Sequence, residues 1–137
     1  MKLHVDIVSA EGEIFSGDAA MVFAPAVMGE VGIAPRHAPL LTQLSPGAVR
    51  VRDAEGKDEA IFVNGGILEV QPHHVTVMAD SAERAADIDE ARAEKAKRDA
   101  EDAVANAKAD VDLARAQAEL IEAAARLHLI KKIKGRN

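Results

Sequence analysis

Cysteine, tryptophan and tyrosine are absent from these 137 residues, and only three phenylalanines represent the aromatics. Without cysteine there is no disulfide framework and no thiolate chemistry, which fits a reducing compartment or indifference to redox. So few rings leave little for nucleic-acid bases to stack on. The formal net charge of −6 argues further against a phosphate backbone as partner. No apolar run approaches the ~18 residues of a membrane span, and the opening Met-Lys-Leu-His-Val-Asp lacks the apolar stretch of a secretory signal. A soluble chain is expected, with no nucleic-acid partner and no direct membrane insertion.

Catalytic signatures are also missing. There is neither a GxxxxGK[ST] loop nor a GxGxxG turn. Asn64-Gly65-Gly66 is glycine-rich but lies between strand-like segments, with no helix N-terminus behind it for phosphate, and reads as a tight turn or a bend within one strand. Ser9, Ser16, Ser45 and Ser81 occupy turn-like contexts without a histidine placed as base. His73 and His74 are adjacent, so in a strand they point to opposite faces, which is wrong for sharing a metal. His128, between Leu127 and Leu129, reads as a helix-flank residue. No catalytic or metal-binding residue, no required cofactor and no enzyme activity is expected.

What is present falls into two segments of different build. Residues 1–86 hold 12 acidic and 6 basic side chains, whereas residues 87–137 hold 11 of each. All five prolines and eight of nine glycines lie at or before Pro72, which places a boundary near Ala82 to Asp87. Lys2 to Ser9 alternates as a half-buried strand and turns at Glu11-Gly12 into a hairpin. Glu13 to Ala24 follows, with Gly17-Asp18 as a bulge or bend and Pro25 ending it. Glu30 to Ile33 is a short strand. Ala34 to Pro39 is irregular, because Pro35 and Pro39 each remove a donor. Leu40 to Leu44, a turn at Ser45-Pro46-Gly47, Ala48 to Arg52, a polar loop at Asp53 to Asp58, Ala60 to Val63, Ile67 to Val70 and Val75 to Met78 complete the series. Short strands at this spacing predict a sandwich or barrel.

From Ala85 onward 16 of 53 residues are alanine, and the apolar period changes to that of helices. Ala93, Ala96, Ala100, Ala103 and Ala107 form one narrow stripe. Leu113, Ala116, Leu120, Ala123, Leu127 and Ile130 form another. The break around Asn106 to Asp110 predicts an antiparallel hairpin. Asp87 or Asp89 can cap the first helix, and Asp110 and Asp112 suit the start of the second. Lys131, Lys132 and Lys134 suit its C-terminus, with Gly135 ending it. The expected fold is α+β, with a β-sandwich domain over 1–84 and a two-helix hairpin over 85–137.

Two constellations remain open on residue chemistry alone. His37 sits in the proline-framed loop, either as a partner contact or as a local backbone cap. Asp89 and Arg92 share a helix face, as a surface ion pair or as a carboxylate and guanidinium for a nucleotide.

Five markers, in order, are His4-Val5-Asp6-Ile7-Val8, Gly29-Glu30-Val31-Gly32-Ile33 running into His37-Ala38-Pro39-Leu40-Leu41, Gly65-Gly66-Ile67-Leu68-Glu69-Val70 with Pro72, Ala82-Glu83-Arg84-Ala85, and Ile88-Asp89. In this order and spacing the whole chain resembles the epsilon subunit of the bacterial F-type ATP synthase. The resemblance implies a non-catalytic rotor part in the central stalk of a proton-translocating complex, peripheral on the cytoplasmic face of the bacterial inner membrane. The sandwich would bind the gamma subunit and rest on the c-ring, with Glu30 and His37 in the ring-facing region. The helices would brake ATP hydrolysis by extending toward the alpha and beta subunits of the catalytic head, where Lys131, Lys132, Lys134 and Arg136 would meet an acidic surface. Ile88, Asp89, Arg92 and Ala93 match the family's ATP-binding motif, and Arg126 matches a further basic residue of it. Asp99 and Glu122 stand where other basic residues would be, which implies at most a weak regulatory ATP site. A purely structural stalk adaptor with a permanently folded hairpin is the other reading the residues leave open.

Overall fold

Alternation over Leu3–Ser9 gives the first strand, β1, which buries Leu3, Val5 and Ile7 and turns His4, Asp6 and Val8 to the other face. The computed structural model describes residues 1–134, the side chain of Lys134 excepted. Seven further strands follow: β2 (Gly12–Ala19), β3 (Met21–Ala26), β4 (Gly29–Ile33), β5 (Leu40–Arg52), β6 (Asp58–Gln71), β7 (His74–Ala79) and β8 (Ala82–Arg84). A 3₁₀ turn at Ala85–Asp87 leads to helices α1 (Glu90–Asn106) and α2 (Asp110–Lys134). The chain divides after Ala86 into two compact units.

In the first unit the strand order is β2-β1-β7-β6-β5-β3-β4, with β8 also pairing β6. Every pair is antiparallel except β1 with β7. The sandwich depends on β5 and β6, which pair from Leu40 opposite Val70 to Arg52 opposite Asp58. Along β5 the positions in the shared core run Leu44, then Val49 and Val51; along β6 they run Ile61 and Val63, then Leu68 and Val70, while Phe62 is buried on the opposite face. Each series changes parity at the middle, so both strands bend there and carry their inward faces from one layer to the other. The C-terminal half of β6 pairs with β7 and its N-terminal half with β8. Residues of β1, β3, β4, β5, β6 and β7 then meet in one apolar core.

The bend differs from the turn expected at Ser45-Pro46-Gly47. Leu44 lies opposite Gly66 and Pro46 opposite Asn64, so the ladder continues across it and β5 is one strand. Its partner bends through glycines: Gly65 and Gly66 have φ of +81° and +131°. Asn64-Gly65-Gly66 is therefore the bend within a continuing strand, and not a turn. The register of the β1–β2 hairpin slips between Ile7 and Val8, leaving Ile14 without an opposite residue, whereas Gly17 pairs with Val5. The irregularity thus falls at Ile14 and not at Gly17-Asp18. Pro25 lies inside β3, opposite Glu30 of β4, where the β3–β5 register is broken between Phe23 and Ala26. A residue lacking N–H fits that gap. Gly47 packs there, its hypothetical Cβ only 3.0 Å from Pro25 Cβ. Strand β8 is unforeseen; three residues carry no period.

In the second unit α1 and α2 lie antiparallel. Near the start of α1, Ala93 packs with Leu127 and Ile130 from the end of α2, with Ile88 against them. Ala100, Ala116 and Ala123 continue the buried seam, but Ala103 is exposed as the hairpin tip approaches. Among the described residues no helix is long and apolar enough to cross a membrane. Gly135, expected to end α2, lies outside the described residues.

A Cβ on Gly66 would stand 2.3 Å from the carbonyl oxygen of Met78, in backbone that disfavours side chains. Gly66→Ala is expected to destabilise the chain by about 3 kcal/mol or more, read as a lower urea midpoint with an unchanged slope.

Candidate functional site

Helix α1 begins where Asp89, extended at φ −82° and ψ 118°, folds its carboxylate over the first turn. Its Oδ1 accepts from the backbone N–H of Ala91 at 2.9 Å and of Arg92 at 3.2 Å. This is N-cap geometry, and it satisfies two donors the helix would otherwise leave open. Asp89 and Arg92 share a face, yet no side-chain ion pair forms between them among the described residues, because the cap directs the carboxylate to the backbone. Arg92 is exposed. Ile88 and Ala93 face the other way, into the apolar cluster with Leu127 and Ile130.

Arg126 belongs to a different surface. It lines a shallow groove between the helices with Ala96, Asp99, Ala100, Glu119, Glu122 and Ala123. Its Nη2 donates to Glu122 at 3.3 Å, one turn back on α2, while Asp99 accepts from Lys95 at 2.8 Å. Three carboxylates thus share the groove with one guanidinium. Arg92 does not line it, so the groove does not gather the two arginines.

Glu30 follows the β3–β4 turn, and its carboxylate, 57% exposed, meets Arg50 Nη2 at 3.4 Å. Arg50 is itself fixed: its guanidinium lies 4.3 Å over the Phe23 ring, with that of Arg52 at 4.9 Å. Asp58 closes the group, accepting from Arg52 at 2.8 and 3.1 Å and from Arg50 at 3.2 Å. The Arg52 hydrogen bonds hold the Asp58 carboxyl below its ordinary range, against its partial burial. The alternation of Val49 and Val51 with Arg50 and Arg52 marks a polar face, but only the β3–β5 register reveals that Phe23 lies under both arginines.

His37 sits in the loop after β4, anchored where Arg36, at φ 69°, donates its N–H to the Pro72 carbonyl at 2.7 Å. The His37 imidazole Nδ1 lies 2.6 Å from the Ala38 carbonyl, so it caps local backbone. No hydrogen bond or ion pair joins Glu30 to His37 among the described residues. At the end of α2, Lys131 and Lys132 are exposed. The Lys134 side chain and Arg136 lie outside the described residues.

A polar cluster missed in the sequence covers the outer face of β1, β2 and β7. Asp6 accepts from Ser16 at 2.7 Å, from His74 at 2.9 Å and from His4 at 3.2 Å. Asp18 meets Lys2 at 3.0 Å and His4 at 3.4 Å. The Ser16 hydroxyl, followed by the imidazoles, holds Asp6 below the usual carboxylate range. The parallel pairing of His4 with His74 creates the cluster, and that register is invisible in the sequence. Among the described residues no three His, Asp or Glu side chains are arranged to hold a metal ion.

Ser16, expected to lack a histidine partner, has its Oγ 3.4 Å from His4 Nε2, but it donates at 2.7 Å to Asp6, so its proton is already engaged and no activated nucleophile is assembled among the described residues. The features that stand out are surfaces for partners. A sandwich followed by a packed helix pair is the build of the delta and epsilon chains of ATP synthases. Residues 2–85 match the family described as ATP synthase, Delta/Epsilon chain, beta-sandwich domain, and residues 86–131 match its long alpha-helix domain. The ATP synthase epsilon chain of Nitrosococcus oceani is 60% identical over 134 residues, covering 98% of this chain and 96% of the relative; that of Alkalilimnicola ehrlichii is 58% identical with the same coverage. The chain belongs to the ATP synthase epsilon chain family, non-catalytic subunits of the central stalk. The fold also matches a chain of the Euglena gracilis mitochondrial ATP synthase, with a TM-score of 0.81 at 19% identity over 90% of this chain and 78% of that one. A chain of the Tetrahymena thermophila mitochondrial ATP synthase central stalk and c-ring matches with a TM-score of 0.63 at 14% identity, over 97% and 96%.

Replacing Asp89 by Ala removes the cap and is expected to lower helical-unit stability by about 1 kcal/mol, seen as faster amide exchange in the first turn of α1. Asp58 titrates lower in the folded chain than in the unfolded one. Its contribution is therefore complete above the ordinary carboxylate pKa of about 3.9 and is lost as pH falls through the folded value. Unfolding free energies measured from neutral to acid pH should show a shallower acid limb for Asp58→Asn.

Proposed function

We propose that this epsilon chain is a rotor part with two roles. Its sandwich contacts the gamma subunit and the c-ring, with Glu30 and His37 on the ring-facing side. Its helices restrain ATP hydrolysis by leaving their paired position and extending toward the alpha and beta subunits. The complex would hold it peripherally at the cytoplasmic face of the bacterial membrane, with proton translocation as the coupled process. The observation that carries this reading is the composition of the helix seam. On α1 the fully buried side chains are Ala93 and Ala100. A buried methyl contributes at most ~0.8 kcal/mol, so the two together supply no more than about 2 kcal/mol. A switch needs states separated by only a few kcal/mol; the small α1 side of the seam favours that, while Leu127 and Ile130 add larger side chains from α2 near the start of α1. Alanine's helix propensity keeps each helix formed once separated. Lys131, Lys132, Lys134 and Arg136 then supply a basic end for an acidic surface on the catalytic head.

ATP itself would bind weakly, at Ile88, Asp89, Arg92, Ala93 and Arg126. The capping role of Asp89, the burial of Ala93 and partial burial of Ile88, and the three carboxylates around Arg126 all favour this weak-site reading.

Truncation after Ala86 is expected to leave assembly and coupling intact and to raise the ATPase activity of the complex. Unchanged ATPase would instead make the chain a structural adaptor with a permanently folded hairpin. Calorimetry on the isolated chain is expected to give no submicromolar ATP affinity, and finding one would overturn the weak-site assignment.

A further inference from the structure

We propose that Arg84 is a positioning residue that fixes where the sandwich ends and the tether to the helices begins. Strand β8 is only three residues long and pairs with β6 from Ala82 opposite Val63 to Arg84 opposite Ile61. So short a strand, on one ladder, has few backbone bonds, with Ala82 packed against the core. Its last side chain adds two more ties. Arg84 Nη1 donates to the Glu59 carboxylate on β6, and Nη2 donates to the Ile14 carbonyl on β2 at 2.6 Å. Ile14 is the residue that slips out of register with β1, so the hairpin irregularity and the end of the sandwich are joined by one guanidinium.

The planar fork is what makes this possible. Arginine presents two donors at fixed separation, so one side chain can hold a carboxylate and a carbonyl on two strands at once; lysine cannot reproduce that geometry. With side-chain exposures of 41% and 44%, the Arg84–Glu59 ion pair alone would be worth little. The carbonyl bond adds direction to it. One residue further on the 3₁₀ turn begins, and Asp89 caps α1, so four residues, 85–88, separate the clamp from the helix cap. The backbone is next tied upstream at Ser81, whose carbonyl accepts from the Asn64 N–H at 3.0 Å. Releasing β8 would therefore add three residues to the tether, or about 10 Å of reach. A clamped tether restricts the directions in which the helical unit can be presented; a released one widens them. The consequence for helix motion rests on the mobile-helix reading above, but the clamp is testable without it.

The absence of cysteine allows a clean test on the full chain. Glu55→Cys and Ala105→Cys, both exposed positions on different units, would carry spin labels, and amide exchange would be followed in parallel. Arg84→Ala is expected to speed exchange at Ala82–Arg84 by about tenfold, leave β1 and β5 unchanged, and broaden the distribution of label distances. Arg84→Lys is expected to restore only part of the protection. Unchanged exchange at β8 in Arg84→Ala overturns the clamp. Faster exchange with unchanged label distances overturns its role in the tether. If Arg84→Ala prevents folding, Arg84→Lys, which keeps the charge but not the fork, decides: faster exchange confined to β8 supports the clamp, and exchange equal to that of the unaltered chain overturns it. A positive result in these measurements, combined with a truncation that leaves ATPase unchanged, would sustain the clamp while removing the brake.

Discussion

The paired bend of β5 and β6 is the constraint on which the sandwich depends. Both strands must change inward parity at the same level, or one would present polar residues to the core that the other builds. Pro46 and Gly47 on one strand and Gly65 and Gly66 on the other achieve this without breaking the ladder between them. The geometry leaves no room for variation at Gly66, whose neighbours are backbone atoms that cannot move aside. From that bend follow the pairing of β7 with one half of β6 and of β8 with the other, and hence the place where the sandwich terminates.

The two units are held by different chemistry. The sandwich packs Val, Ile and Leu from six strands into one core, with Phe23, Arg50, Arg52 and Asp58 arranged on its outer surface. The helix pair relies largely on methyl groups, strengthened only at one end by Leu127 and Ile130. Side chains such as Asp89 and Glu30 show how a conspicuous residue can hold local structure: one caps a helix, the other is oriented by an arginine that is itself stacked. Neither role precludes an outward-facing one, but each fixes the geometry from which it would be exercised.

Much of the fold was legible because its signals are local. Alternation identified β1, proline identified the loop after β4, and steps of three and four identified both helices and much of their seam, though Ala103 is exposed. The errors arise where local signals are insufficient. Ser45-Pro46-Gly47 has the composition of a turn, and only a partner strand with two glycines opposite makes it a bend. Gly17 looked like the irregular position, but the slip falls at Ile14, set by how β1 and β2 must align on their apolar sides. The surfaces were less legible than the fold. Cap geometry was readable at Asp89, whereas the Phe23–Arg50–Arg52 stack and the His4–Asp6–His74 cluster depend on registers between distant strands.

The single parallel pair has a consequence for the order in which the chain matures on the ribosome. Strand β1 emerges first, but it lies between β2 and β7, and His4 finds His74 only after 70 further residues have been made. Until then the first hairpin has one unsatisfied edge and one uncovered apolar face. Closing that interval is a long-range step, slower than closing the local β1–β2 hairpin. The helical sequence follows β7 and β8 in the chain, so a nascent chain exposes the open edge of β1 until β7 has been made, before either helix is complete.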